Sequence, residues 1–227
     1  MLRQEALIWR SLKHPNVLPF YGVDRVSLTY PFLVSPWLRR GSLSNYMKHT
    51  SAQLDHASLI GKICDGLEYL HSRDVVHGDI RAGNVLLTNN MEPRLADLGL
   101  ATLSNATASA NPNDTPGSTR WMAPELLRAG QPHSKESDIY AVGCTIIELY
   151  TRKPPFSDIP LDLRVMIMVY EGQRPHRPLA GQCIGHPMTD DVWRLVDSCL
   201  SSEPRKRPLP AMVRDRLASM QTQPIIY

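Results

Sequence analysis

Apolar residues at helical spacing open the chain. Leu2, Ala6, Trp9 and Leu12 share one face of a helix over residues 2–13, and His14-Pro15-Asn16 stops it. Two apolar runs follow, Val17–Val23 and Val26–Ser35. Asp24-Arg25 separates them, so they predict a hairpin. Pro36 ends the second run, and Arg39-Arg40-Gly41-Ser42 forms a turn before a short helix over Leu43–Lys48. Leu59, Ile63, Leu67 and Leu70 line one side of a longer helix over 55–72, with Asp55 placed as its N-cap. Short strands are expected around Val75-Val76, Val85–Leu87 and Arg94–Ala96. Residues 102–119 carry Ser, Thr, Asn, Ala and Pro without periodicity, which predicts a long loop of the kind that is usually functional inside a compact domain. Helical spacing returns after Pro124: Asp138–Leu149 is the most apolar helix and should be central, followed by helices over 190–200 and 208–220. No internal repeat interrupts this order. The one candidate boundary is Ser35–Gly41, between a small strand-bearing part and a large helical part.

Composition narrows the classes. A chain of 227 residues can bury one large core or two small lobes. A net charge of +3 is too weak to argue for nucleic acid or an anionic membrane surface. Cys64, Cys144, Cys183 and Cys199 are far apart and form no CxxC pair, which argues against zinc and disulfides and fits a reducing compartment. Met1–Glu5 does not begin a signal peptide, and the longest apolar stretch, Val142–Tyr150, contains Glu148 and is too short to span a bilayer. The expectation is a soluble, cytoplasmic protein with no nucleic-acid partner and no membrane insertion.

Chemistry concentrates in Val76-His77-Gly78-Asp79-Ile80-Arg81-Ala82-Gly83-Asn84-Val85-Leu86-Leu87. A carboxylate and an amide five residues apart sit in a loop held at both ends by apolar strands. Phosphoryl transfer asks little covalent chemistry of a protein: a positioned hydroxyl, an aligned phosphate and a divalent cation. Asp79 can orient a substrate hydroxyl and accept its proton, and Asn84 can offer a neutral oxygen to Mg2+. Thirteen residues on, Asp97-Leu98-Gly99 adds a second oxygen ligand and a glycine for a sharp turn. Taken singly, each fragment is more often structural: Asp and Asn are common turn residues. The ordered set His-x-Asp-x4-Asn, Asp-Leu-Gly and Ala123-Pro124-Glu125 is far more specific, because order and spacing match the protein-kinase signature.

The chain resembles the eukaryotic protein kinase family, its tyrosine-kinase-like Ser/Thr branch most of all, over nearly its whole length. His77-Gly78-Asp79 looks like the catalytic HRD triplet, Asp97-Leu98-Gly99 like the metal-binding DFG, and Ala123-Pro124-Glu125 like the APE that closes the activation segment. The resemblance implies an α+β, bilobal fold: residues 1–35 as a partial N-lobe (helix C and strands 4 and 5), 36–41 as the hinge, and 42–227 as a mainly helical C-lobe. It implies ATP and Mg2+ as cofactors and protein substrates. Asp79, Arg81 and Asn84 would be catalytic, and Asn84 and Asp97 would hold the metal. Ser35 would be the gatekeeper behind adenine, with the Pro36 carbonyl and Leu38 amide bonding the base, Leu86 beneath it and Ser42 near the ribose. Glu5 falls at the helix-C glutamate, Asp138 at the aspartate that brace the catalytic loop, and Arg207 at the arginine that pairs with Glu125. Ser118 is placed to bond Asp79.

The departures carry expectations of their own. No Gly-x-Gly-x-x-Gly loop and no Val-Ala-x-Lys strand precedes Glu5, so these residues alone should bind ATP poorly and be nearly inactive. Gly78 stands where the family has an arginine that clamps a phosphorylated activation loop. Activity should therefore not depend on phosphates at Thr107, Ser109 or Thr115 by that route. Arg81 stands where Ser/Thr kinases usually have lysine, whereas Gly117-Ser118-Thr119-Arg120-Trp121-Met122 resembles a Ser/Thr kinase. Leu98 replaces Phe, apolar for apolar. Two rival readings remain. One is a pseudokinase or binding scaffold, against which the retained Asp79, Asn84 and Asp97 argue. The other is a small-molecule phosphotransferase of the aminoglycoside or choline kinase type, which shares His-Gly-Asp but lacks the Ala-Pro-Glu segment.

Overall fold

The computed structural model describes residues 2–24, 32–98, 102–103, 118–128 and 130–221. Gly99, Thr107, Ser109 and Thr115 lie outside the described residues, as does the part of the expected hairpin over 25–31. Glu5 is on the first helix, but its side chain also lies outside the described part.

Helix α1 (Leu2–Ser11) buries Ile8 and Trp9, Leu12 just past its end is buried too, and the antiparallel pair β1 (Gly22–Asp24) and β2 (Phe32–Val34) follows. The hairpin is shorter than the apolar pattern predicts, because Val17 and Leu18 serve elsewhere. Leu18 donates its amide to the Leu95 carbonyl (2.8 Å), and Leu95 donates to Asn16 (2.8 Å). That pairing stitches the start of the chain to β5 (Pro93–Leu95). The segment also presses on the helix beneath: a Cβ on Gly66 would stand 2.8 Å from the Asn16 carbonyl oxygen, so only glycine lets the two backbones approach this closely.

The larger part is helical. In α2 (Leu43–His49), Ser42 caps the N-terminus through the Asn45 amide (3.2 Å); in α3 (His56–Ser72), Asp55 does so through the Ser58 amide (2.9 Å). Short antiparallel pairs join β3 (Val75–Val76) to β6 (Thr102–Leu103) and β4 (Val85–Leu87) to β5. Helix α4 (Lys135–Thr151) begins three residues before the apolar run, at a Ser134–Ser137 capping box, and every residue from Ser137 to Tyr150 is buried. A helix apolar all round is buried all round. Around it lie α5 (Asp162–Tyr170), which the apolar pattern does not single out, α6 (Asp190–Cys199) and α7 (Pro210–Gln221). One apolar core runs from Ile8 and Trp9 through Leu67, Leu70 and Tyr140 to Val213 and Leu217. The fold is α+β, with few strands and a helical C-terminal part. Among the described residues, no helix is long and apolar enough to cross a membrane.

Candidate active site

The catalytic-loop candidate lies along one face of α4. Asp138, in the first turn, accepts the amides of His77 (2.9 Å) and Gly78 (2.8 Å) and is bonded to His71 Nε2 (2.8 Å). Burial alone would raise its pKa, but the His71 bond and the neighbouring imidazoles and amide outweigh burial and hold it below the usual carboxylate value. Seven residues on, Thr145 Oγ1 makes a long 3.4 Å bond to the Ile80 carbonyl. Three further, Glu148 Oε2 accepts the Ala82 amide (3.0 Å) and the Trp121 indole N–H (3.1 Å).

His77 is fully enclosed, and burial lowers its pKa. The Asp79 amide donates to its Nδ1 (3.2 Å), so the ring proton sits on Nε2 and is donated to the Ala96 carbonyl (3.1 Å). Gly78, at φ +82°, occupies the left-handed region that glycine adopts without strain.

Asp79 and Asn84 meet directly. Asn84 donates its amide nitrogen to Asp79 Oδ2 (2.6 Å) and to the Asp79 carbonyl (2.9 Å). Arg81 Nε stands 3.3 Å from the same Oδ2, and its guanidinium lies 6.0 Å from the Trp121 ring. Both contacts to the carboxylate fall on Oδ2, which leaves Oδ1 of Asp79 as the oxygen for a hydroxyl. The amide nitrogen of Asn84 is occupied by Asp79, which leaves its oxygen as the ligand atom. Asp97 follows from the same spot: the Ala96 amide donates to the Asn84 carbonyl (2.9 Å) while its carbonyl takes the His77 proton. Asp97 is exposed and holds φ +59°, a strained value for a non-glycine residue and one that clusters at functional sites. Leu98 behind it is fully buried.

This donor set fits the implied cation. Asn84 and Asp97 offer hard oxygens, which suit Mg2+. Among the described residues no group of three His, Cys, Asp or Glu side chains could hold a metal ion. Such a set suits an ion held jointly by protein and substrate phosphates.

The residues expected to form the hinge follow β2 directly. Ser35 follows β2 and is half-buried, as are Pro36 and Leu38, while Trp37 is exposed. The Leu87 amide donates to the Gly41 carbonyl (3.0 Å), and Ser42 bridges Leu86, so the hinge is fastened to β4 beside the Asn84 turn. The Ser42 hydroxyl is engaged as the α2 cap. Ser118 heads the turn Thr119–Trp121 and accepts the Trp121 amide on its carbonyl (3.0 Å). Arg207 binds Glu125 at the base of this segment.

Three residues of the site are given no role by the motifs: His71, Trp121 and Glu148. Glu148 had a signal, as the one acid within the apolar run Val142–Tyr150. His71 and Trp121 had none, since their partners are distant in sequence.

The family model for the protein kinase domain matches residues 1–216. Mitogen-activated protein kinase kinase kinase 1a of Physcomitrium patens is 31% identical over 209 residues, covering 91% of this chain and 26% of its own length. MAP3K epsilon protein kinase 1 of Arabidopsis thaliana is 30% identical over 211 residues, covering 91% of this chain and 15% of its own. The human serine/threonine-protein kinase A-Raf is 29% identical over 217 residues, covering 91% of this chain and 34% of its own. The chain thus spans about a third or less of these relatives. The match to the family model agrees with the loop built around Asp79, Asn84 and Asp97: this chain belongs to the protein kinase family.

Proposed function

We propose that the protein transfers the γ-phosphoryl group of Mg-ATP to serine or threonine hydroxyls of protein substrates. The observation that carries this reading is the 2.6 Å bond from Asn84 to Asp79, which holds a carboxylate and a side-chain amide against each other in one turn. Asp79 orients the substrate hydroxyl and takes its proton on Oδ1. Asn84 and Asp97 hold the metal, which when bound neutralises charge on the phosphate oxygens. Arg81, already 3.3 Å from Asp79, points its remaining N–H groups at the transferred phosphoryl. Ser35, Pro36, Leu38 and Leu86 bound the adenine site, with Ser42 beside the ribose. The four cysteines are free thiols, which supports a reducing, cytoplasmic setting.

The test is Asp79→Asn in the full-length protein. Transfer to a Ser/Thr peptide should fall by on the order of 10²–10⁴-fold, the usual worth of a positioned base. If transfer is lost while the cellular role persists, the domain works as a scaffold; if transfer never depended on Asp79, the reading is wrong.

A further inference from the structure

Helices α3, α4, α6 and α7 enclose a gap where their ends meet. A cavity of about 590 Å³ lies there, walled by Leu54, Ala57, Tyr150, Val192, Leu217 and Met220. Its frame is held by specific bonds. Arg152, the left-handed cap of α4 at φ +54°, donates to the carbonyls of Met47, Thr50 and Ala52 and so fixes the chain leading into α3. The Ile184 amide donates to the Tyr150 carbonyl (2.8 Å), and Gln53 is bonded to His186. The segments before α3 and before α6 are thereby tied to each other and to α4. Packed interiors hold few voids larger than a water molecule, and a fixed apolar cavity of this size has the volume of a ligand pocket.

We propose that the occupant is this chain's own segment 222–227, docked back into the cavity through Ile225, Ile226 and Tyr227. Three observations point to it. The first is position: α7 ends at Gln221, and its last turn supplies Leu217 and Met220 to the cavity wall. Residues 217, 220 and 224 share one helical stripe, so the chain leaves α7 on the cavity side. The second is direction. Pro224 disfavours helix at residue 223, which turns the chain off the α7 axis there. Six residues at about 3.3 Å each reach roughly 20 Å, enough to fold over a cavity that begins at Met220. The third is chemistry. Ile-Ile-Tyr is the apolar end of an otherwise polar stretch, and its aliphatic side chains match walls of Leu, Ala and Val. A buried tyrosine hydroxyl needs a partner, and Gln53, His56 and His186 on the same lining offer one.

The docked segment would close the helical part at the C-terminal end of α4, whereas Asp138 in the first turn of α4 holds the catalytic loop. The inference therefore stands apart from the kinase reading and needs no catalysis for its test.

The experiment is methyl NMR on this chain with labelled Ile, Leu, Val and Met, the two tail residues assigned by Ile225→Val and Ile226→Val. At least one of their methyls should show nuclear Overhauser contacts to Val192, Leu217 or Met220, unchanged on dilution. In the double variant Ile225→Asp with Ile226→Asp, the Val192 and Leu217 methyls should shift. Anilinonaphthalene sulfonate, a dye that fluoresces in apolar sites, should then bind several-fold more strongly, because the cavity is vacated. Both substitutions fall past the end of α7; should the double variant nevertheless lose its fold, the contacts in the unaltered chain decide alone. Tail methyls without contacts, or with contacts to another face, overturn the proposal. Contacts that fade on dilution assign the cavity to a second copy of the chain and overturn it as well, as does equal dye binding by the folded double variant and the unaltered chain.

Discussion

Arg207 holds both carboxylate oxygens of Glu125, at 2.6 and 2.7 Å, with its side chain fully enclosed. The guanidinium also donates to the carbonyls of Ser201 and Glu136 (2.9 Å each) and lies 5.2 Å from the Tyr140 ring. Each nitrogen of the cation thus donates at least one bond, which is what a buried charge requires. Removing one partner strands the other. Arg207→Ala or Glu125→Ala should destabilise the fold by ~3–5 kcal/mol, measured as the shift of the urea unfolding midpoint. The double variant should cost less than the sum. Strict additivity would count against a coupled pair.

Asp138 anchors the catalytic loop by the same logic with backbone donors. Asp138→Asn removes the charge and turns an N–H toward the amides of His77 and Gly78. Hydrogen bonds to charged groups contribute about 1.5–3 kcal/mol each, so the loss should be on the order of 3 kcal/mol. Its pKa is depressed in the fold, so this contribution is present above the unfolded value of about 3.9 and lost as pH falls through the folded one. The deficit of the variant should be constant near neutrality and shrink only in strong acid. A deficit that fades already well above the carboxylate range would count against Asp138 as its source.

His56 predicts a separate acid weakness. It is buried against Tyr150, ring centres 4.4 Å apart. Burial first, and then His186 and Arg152, lower its pKa to about 4, with Asp55 opposing. The unfolded chain takes up this proton near 6.5 and the fold resists it. Stability is therefore full above 6.5 and declines between 6.5 and about 4, by up to ~3 kcal/mol. Glu148 works in the opposite direction, since its folded pKa is raised and stability there is lost as pH rises toward about 7. The difference between wild type and His56→Gln isolates the histidine. The variant should lose less stability over that window, and parallel curves would show that His56 does not titrate on unfolding.

The proposed adenine site places the small side chain of Ser35 at its back. In the full-length protein, Ser35→Phe should exclude ATP analogues or inhibitors that carry a bulky group there. Overfilling a packed site costs about 1–3 kcal/mol, which is ~10–100-fold in affinity. Affinity for ATP itself should stay within a few-fold. Equal losses for ATP and analogue, read by competition binding, would remove Ser35 from the back of the pocket.

Much of this molecule is local, and local physics is legible in a linear sequence. The helical stripes over 2–13 and 55–72, the Asp55 cap and the buried run around Val142–Tyr150 follow from periodicity and side-chain chemistry within one or two turns. The spacing of Asp79, Asn84 and Asp97 is likewise a property of one loop and one strand pair. Distance in sequence hid the rest. Val17 and Leu18 read as hairpin strand, yet the Leu18 amide and the Asn16 carbonyl on either side of Val17 bond Leu95, far away in sequence, because Gly66 lets the segment lie against α3. Glu148 read as a lone acid inside an apolar run. Only the packing of α4 under the catalytic loop brought the Ala82 amide and the Trp121 indole to its one buried oxygen, and a buried charge is defined by such partners rather than by its neighbours in the chain.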